Sequence, residues 1–413
     1  MSSRLTHTVR LLSVCIGVLF SFEGSTAHAQ EIKIPERWST GLLYPKPLFD
    51  EDTLTIRFLG DIMMHESQIK ASETGSGHEF DSYFSLIAED IRTADLAVAN
   101  MEFTLAGEPY SGYPCFSAPD AFAGYLAKCG FDIFLAANNH IFDKGSEGAE
   151  RTAERYRELG IRFTGLASGQ EEEKENNPLI IRKKGISIAF MNATYGTNLG
   201  MQAPWPKTNY LSDRKNMEEA IARAEDADAD YIVILPHWGT EYKLTHSEAQ
   251  RNTALWLAGR GADLIIGAHP HVVQDFEMIA VEREDTTTGV PVAYSLGNAV
   301  SNMSAANTQI GLMATVRILI KANGDLCMIP PEFTYLWCSR PGGYNDSYTV
   351  IPVRKFLGRK EEWKGGWDYE KMVSTYERVK ETTGIEENQL YNNEQKEHHI
   401  GGAGSDRDLW CRQ

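Results

Sequence analysis

Basic residues are scarce in this chain. Forty lysines and arginines stand against 57 aspartates and glutamates, leaving a net charge of −17 over 413 residues. A protein that tracks a nucleic acid needs a basic face to neutralise phosphates, so no nucleic-acid partner is expected. Cysteine is sparse as well. Of the six present, the five that follow Cys15 (Cys115, Cys129, Cys327, Cys338 and Cys411) fit no zinc-finger spacing. Beyond the first thirty residues no apolar run is long enough to read as a transmembrane helix, and no internal repeat occurs. The residues that build cores are well represented. At 42% hydrophobic and 10% aromatic, the composition belongs to a folded chain with a sizeable interior.

The N-terminus carries an address. Arg4 and Arg10 precede the apolar stretch "LLSVCIGVLFSF", and "STAHAQ" then supplies Ala27-x-Ala29. A basic start, a short apolar run and an A-x-A site form a secretory signal peptide over residues 1–29, with cleavage after Ala29. The protein is therefore expected to be exported to the periplasm or the exterior, soluble or peripherally held at the envelope. One or two disulfides are expected in that compartment, with at least one thiol left over. Residues 30–52, rich in proline and lacking periodicity, read as a lead-in arm.

From Thr53 apolar strands alternate with amphipathic helices. "LTIRFLGD", "DLAVANME", "FDIFLAANN", "ISIAFMNAT", "YIVILPHWG", "ADLIIGAHP" and "PVAYSLGN" are strand candidates, each cut off by Gly, Asn, Asp or Pro. Between them "DAFAGYLAKCG", "SEGAERTAERYRELG", "RKNMEEAIARAEDA" and "SEAQRNTALWLAGRG" repeat apolar residues at helical spacing. The alternation implies an α/β domain over 53–353 with a largely buried sheet. "GQEEEKENN" reads as a solvated charged loop, and 318–353 as a β-rich closing stretch. Residues 354–413 read as a surface helix, "DYEKMVSTYERVKETTG", followed by a flexible tail that contains His398 and His399.

Polar residues collect where the strands stop. Asp61 follows "FLG", Asn100 and Glu102 end "DLAVANME", Asn139 and His140 end "FLAANNH", His237 ends "YIVILPH", and His269 and His271 follow "LIIGA". Strand ends on one edge of an α/β sheet gather at a single crevice. Carboxylates, amides and imidazoles are the donors that zinc, manganese or iron accept. Taken singly, such an Asp or Asn usually caps a helix or turn. Together, Asp61, Glu102, Asn139, His237, His269 and His271 are too many for one tetrahedral ion, and a pair of ions about 3.5–4 Å apart is the natural use of them.

"GDIMMH", "NMEFTL", "AANNHIFDKG", "HWGTEY", "GAHPHVVQ" and "YSLGN" resemble, in order, the motifs of CapA-type poly-gamma-glutamate capsule synthesis proteins. That family is similar to calcineurin-like metallophosphoesterases. The likeness runs from Leu54 to Asn302. It implies a four-layer α-β-β-α sandwich of the metallophosphoesterase type with two divalent metals, which could be manganese, iron or zinc. Carried over by position, Asp61 and His271 would hold the first ion, Glu102 would bridge, and Asn139, His237 and His269 would hold the second. His140 would protonate the leaving group. Asp143 either orients His140 or caps the helix beginning "SEGAE". The phosphoesterases usually open with Asp-x-His, whereas here the next histidine after Asp61 is His65, which either supplies the missing contact or lines the cleft. Asn298 of "YSLGN" either faces the cleft or makes a turn. The resemblance implies a metal-dependent hydrolase acting on a phosphoester or amide of an envelope polymer, with capsule-synthesis partners at the membrane. The rival it leaves open is a non-catalytic site that grips an anionic poly-gamma-glutamate polymer.

The leader makes one outcome checkable at once. N-terminal sequencing of the protein recovered from a native-like host should begin at Gln30; an intact Met1 would contradict the expected processing.

Overall fold

Hydrophobic strands carry the chain into one sheet, across to a second, and back again. The computed structural model describes residues 53–200, 204–283, 286–387 and 411–412. The residues read as a signal peptide and a lead-in arm, and most of the tail, His398 and His399 included, lie outside them. Strands β1 (Thr53–Ile62), β2 (Leu96–Met101), β3 (Ile133–Leu135) and β4 (Arg162–Thr164) run parallel, side by side. The next six strands form a separate sheet: β5 (Leu179–Lys183), β6 (Ile186–Thr194), β7 (Tyr231–His237), β8 (Leu264–Ile266), β9 (Phe276–Arg283) and β10 (Thr286–Ala293). Their order is β9-β10-β8-β7-β6-β5. The chain then returns. On the side of β1 away from β2, β11 (Asn298–Val300) pairs with the end of β1, and β12 (Ile310–Ile320), β13 (Leu326–Ser339) and β14 (Thr349–Pro352) extend the first sheet antiparallel.

Three apolar interfaces hold four layers together. Between the sheets, Ile56, Phe58 and Val98 meet Phe190, Val233, Leu235 and Ile266 in one core. The outer face of the first sheet packs on α1 (Asp120–Cys129) and α2 (Gly145–Glu158) through Phe122, Leu126, Ala149, Ala153 and Tyr156. The outer face of the second packs on α3 (Arg214–Asp226) and α4 (Glu248–Gly259) through Met217, Ile221 and Leu257. The result is the α-β-β-α sandwich expected from the sequence. Continuous apolar runs such as "YIVILPH" follow from it, because both faces of each central strand are covered.

Two stretches differ from their sequence reading. Residues Gln170–Asn176 of "GQEEEKENN" form a short helix rather than a loop, although none of its residues is buried. Three glutamates in its first turn sit where a helix N-terminus favours negative charge. The helix read as superficial, α5 (Gly366–Thr383), buries Met372 and Val379 in the inter-sheet core. Cys327 is disulfide-bonded, whereas Cys115, Cys129 and Cys338 are free thiols.

Glycines stand immediately upstream of two site segments because neighbouring backbone leaves no room there. A Cβ on Gly60, next to Asp61, would lie 1.9 Å from the carbonyl oxygen of Gly297. A Cβ on Gly267, two residues before His269, would lie 2.1 Å from the Tyr294 carbonyl oxygen. Gly60→Ala should therefore destabilise the protein by about 1–3 kcal/mol, the usual cost of overpacking against atoms that cannot swing away. Urea unfolding monitored by fluorescence measures this, and an unchanged midpoint would show that the β1–β11 seam gives way.

Candidate metal centre

Every strand-end residue singled out in the sequence arrives at one place, the seam between the two sheets. β1 brings Asp61, Glu102 directly follows β2, and Asn139 and His140 follow β3. The second sheet brings His237 at the end of β7 and His269 and His271 on the loop after β8. All seven are at most 4% exposed.

Glu102 is the hub. His237 Nε2 and His271 Nε2 each lie 3.7 Å from its Oε1, and His140 Nε2 lies 3.9 Å from the same oxygen. These separations are too long for hydrogen bonds. Neither Glu102 oxygen has a partner, and neither does His269 Nδ1. Burial pushes the Glu102 carboxyl well above the usual carboxylate range, with Asp61, Glu241 and Asp143 adding to it against His271. Two sets of ligand atoms lie within 4.8 Å of one another: Glu102 with His269 and His271, and Asp61 with Glu102 and His237. Buried polar groups without partners are rare in native proteins. Here they are mixed oxygen and imidazole donors pointing at a common point, which is the donor set of a divalent transition metal. The donor chemistry fits divalent ions, although these sets divide the residues differently from the resemblance, which places Asp61 with His271 and His237 with His269.

The imidazoles are kept ready to donate. Burial and the neighbouring histidines hold His237 well below its usual range and His269 down to about 3. Both are therefore neutral near pH 7, with a lone pair available. His271 behaves differently. Burial disfavours its charge, but Glu102 and Asp61 outweigh that and bring it to about 9. Its Nδ1 lies 3.2 Å from Asp61 Oδ2 and 3.1 Å from Asn298 Oδ1, which turns Nε2 toward Glu102.

The remaining sequence candidates also take definite positions. Asn139 Oδ1 is 2.7 Å from His237 Nε2. His140 Nδ1 is 2.7 Å from Asp143 Oδ2, which also accepts from the Phe116 backbone N–H at 2.8 Å. Asp143 does not cap α2, whose N-cap is Lys144. Asn298 is buried, and its Nδ2 donates to Ser301 Oγ and the Thr308 carbonyl, so it backs His271 from behind. His65 stands apart from both ligand sets. It caps a short helix beside Gln68, packs edge-on against Phe116 at 5.2 Å, and is pushed down to about 4, chiefly by burial.

Three asparagines at the site have no role assigned by the sequence. Asn100 Nδ2 donates to Asp61 Oδ1 at 2.8 Å and lies 3.3 Å from His237 Nδ1. Asn138 donates to the Met101 carbonyl and accepts from the His140 N–H. Asn198 donates its backbone N–H to the Asn139 carbonyl, and its side chain reaches both Asn139 and His140. Asn198 lies on the loop after β6, the strand "ISIAFMNAT", which ends without a ligand candidate. That gap in an otherwise regular pattern is the available signal.

The family model for bacterial capsule synthesis proteins, PGA_cap, matches residues 55–303. The chain belongs to this family. Among curated relatives, the capsule biosynthesis protein CapA of Bacillus anthracis is 26% identical over 291 residues, which is 68% of this chain and 68% of that one. The PGA biosynthesis protein CapA of Bacillus subtilis (strain 168) is 26% identical over 287 residues, 67% of this chain and 70% of that one. Solved structures similar to this one include a 5′-nucleotidase precursor from Thermus thermophilus, with a TM-score of 0.43 and 14% identity; the match covers 79% of this chain and 59% of that chain. Another is the calcineurin-like phosphoesterase YfkN from Bacillus subtilis, with a TM-score of 0.42, 14% identity, and 80% and 97% of the two chains covered. The PGA_cap match takes in every residue of the centre described above.

Because Glu102 stands in both ligand sets, Glu102→Ala should remove most of the metal bound to the purified chain, whereas His65→Ala should leave metal content nearly unchanged. Elemental analysis of the two variants decides this. Bound metal should also stabilise the fold, so a chelator should lower the melting temperature of wild type and leave that of Glu102→Ala nearly unchanged. In thermal scans with metal restored, wild type should be the more stable.

Proposed function

We propose that this PGA_cap protein is an exported hydrolase that uses two divalent ions to cleave a phosphoester or amide of an envelope polymer. The observation that carries this reading is the His140–Asp143 pair, at 2.7 Å, set beside the ligand cluster but outside both ligand sets. A centre built only to hold ions or grip an anion has no use for an oriented proton donor at its rim.

Asp61, Glu102, Asn139, His237, His269 and His271 would hold the ions. When bound, such ions activate water near neutral pH and polarise the oxygen of a phosphoryl or carbonyl group. The chain's own residues do the rest. Asp143 keeps the proton on Nδ1 of His140 and so turns Nε2 into the site, 3.9 Å from Glu102 Oε1. From there a protonated Nε2 can hand its proton to the departing oxygen or nitrogen. Phe116, edge-on to His140 with ring centroids 4.7 Å apart, walls the imidazole off and keeps water from competing for that proton. Asn198 clasps Asn139 and His140 together, so the ligand and the proton donor move as one. The names of the relatives, capsule and PGA biosynthesis, support an anionic capsule polymer as the material acted upon. Partners in a capsule-synthesis machinery at the membrane belong to the same proposal. The leader peptide supports action outside the cytoplasm.

His140→Ala should retain metal and lose turnover of a phosphoester substrate by about 10²–10⁴-fold, the usual worth of a positioned acid. Asn139→Ala should lose both metal and turnover. The two variants are compared by elemental analysis and steady-state kinetics on the same preparations. A wild-type protein that holds metal, binds polyglutamate and hydrolyses nothing in a broad screen would replace this reading with polymer holding.

A further inference from the structure

Large apolar side chains left in solvent are normally scattered, and a group of them around one opening marks a binding surface. Among the described residues three tyrosines are exposed, Tyr113 at 74%, Tyr195 at 48% and Tyr242 at 44%, and all three stand at the mouth of the metal centre. Tyr195 lies with its ring centroid 4.5 Å from that of His269. Tyr242 lies 6.4 Å from His271. Tyr113 lies 6.5 Å from Phe116, which packs on both His65 and His140. They come from three separate loops, and the one with Tyr242 is under strain. Tyr242 has φ +66° while its N–H bonds the Pro270 carbonyl of the His-Pro-His segment. A bulky residue in the left-handed region is strained, and such strain persists where the surroundings impose it.

The charge around the mouth points the same way. Glu241 acts on Glu102, His271, Tyr195 and Tyr242. None of the strongest charges on Glu102, His237, His269 or His271 comes from a lysine or arginine. Arg340 acts on His65, with its guanidinium spent on the Met303 carbonyl. Tyrosine faces and the Glu241 carboxylate thus stand together here, an arrangement that suits a neutral ring.

We infer that Tyr113, Tyr195 and Tyr242 form a collar that stacks on an uncharged ring attached to the group held by the metals, so that the phosphoester this site takes carries a ring beside its phosphate. Aromatic faces bind ring faces, and the tyrosine hydroxyls add hydrogen bonds at the wet edge. A sugar ring and a nucleobase both offer such a face. The inference rests on the metal-dependent reading above and names the substrate class for that site.

The test separates the two claims by using ligands that cannot be hydrolysed. Binding of phenylphosphonate and of methylphosphonate to the metal-loaded full chain is measured by calorimetry. Phenylphosphonate should bind about 5- to 150-fold more tightly, the range that stacking on an aromatic side chain supplies. Tyr195→Ala and Tyr242→Ala should each erase much of that preference without altering methylphosphonate binding or metal content, and Tyr195→Phe should keep it. Glucose 1-phosphate and adenosine monophosphate, compared in the His140→Ala variant, then distinguish a sugar from a base. Equal binding of the two phosphonates, or a preference that survives loss of all three tyrosines, would overturn the collar. Absence of turnover on every phosphoester would instead overturn the hydrolase reading, with the phosphonate result still deciding the collar.

Discussion

The carboxylate of Glu102 lies fully buried at the seam of two sheets with neither oxygen hydrogen-bonded, and an anion so placed costs several kcal/mol unless a cation compensates it. Three imidazole nitrogens approach one of its oxygens to between 3.7 and 3.9 Å and stop there. The surrounding asparagines hold those groups at that spacing and do not collapse onto the gap. Asn100 ties Asp61 toward His237, Asn298 backs His271, and Asn138 pins the backbone of His140. Neutral amides do this without adding charge to a site that already has two carboxylates. The layers outside then keep water from reaching the carboxylate.

That arrangement explains what can be read from the residues alone. Strand-end polar groups stand out because the preceding runs, "FDIFLAA" or "YIVILP", are almost wholly apolar, and a polar side chain after such a run has to be accommodated at a sheet edge. Asp61, Glu102, Asn139, His140, His237, His269 and His271 are all visible in this way. The partition into two sheets is not. "LAVANM" and "YIVILPH" are equally apolar on both faces, and nothing local says which sheet a covered strand joins. The return of β11 to β1 and the antiparallel extension that follows depend on pairings far apart in the chain. Asn298 reads equally as a cleft residue or a turn residue, because an amide that supports a histidine looks the same in sequence as one that faces solvent.

Helix α5 and the segment Gln170–Asn176 teach a narrower lesson. The first reads as superficial because only a few of its positions are apolar, yet Met372 and Val379 are spaced two turns apart and both reach the inter-sheet core. The second is so rich in glutamate that it resembles a solvated loop. It remains solvated and is nevertheless helical. Composition gives the conformation of the first and misses its buried face, and gives the exposure of the second and misses its helix.

The pairing of β1 has a consequence for how the molecule comes into being. β1 is flanked by β2 on one side, close by in sequence, and by β12 on the other, with Thr53 opposite Leu319. Until the ribosome has delivered the residues around 310–320, the central strand of the first sheet has one bare edge, and the cleft at its end lacks His237, His269 and His271 for most of that time. The emerging polypeptide thus cannot commit to its native topology early. In such an unfinished state the bare edge of β1 is open to pairing with another chain until β12 arrives to cover it.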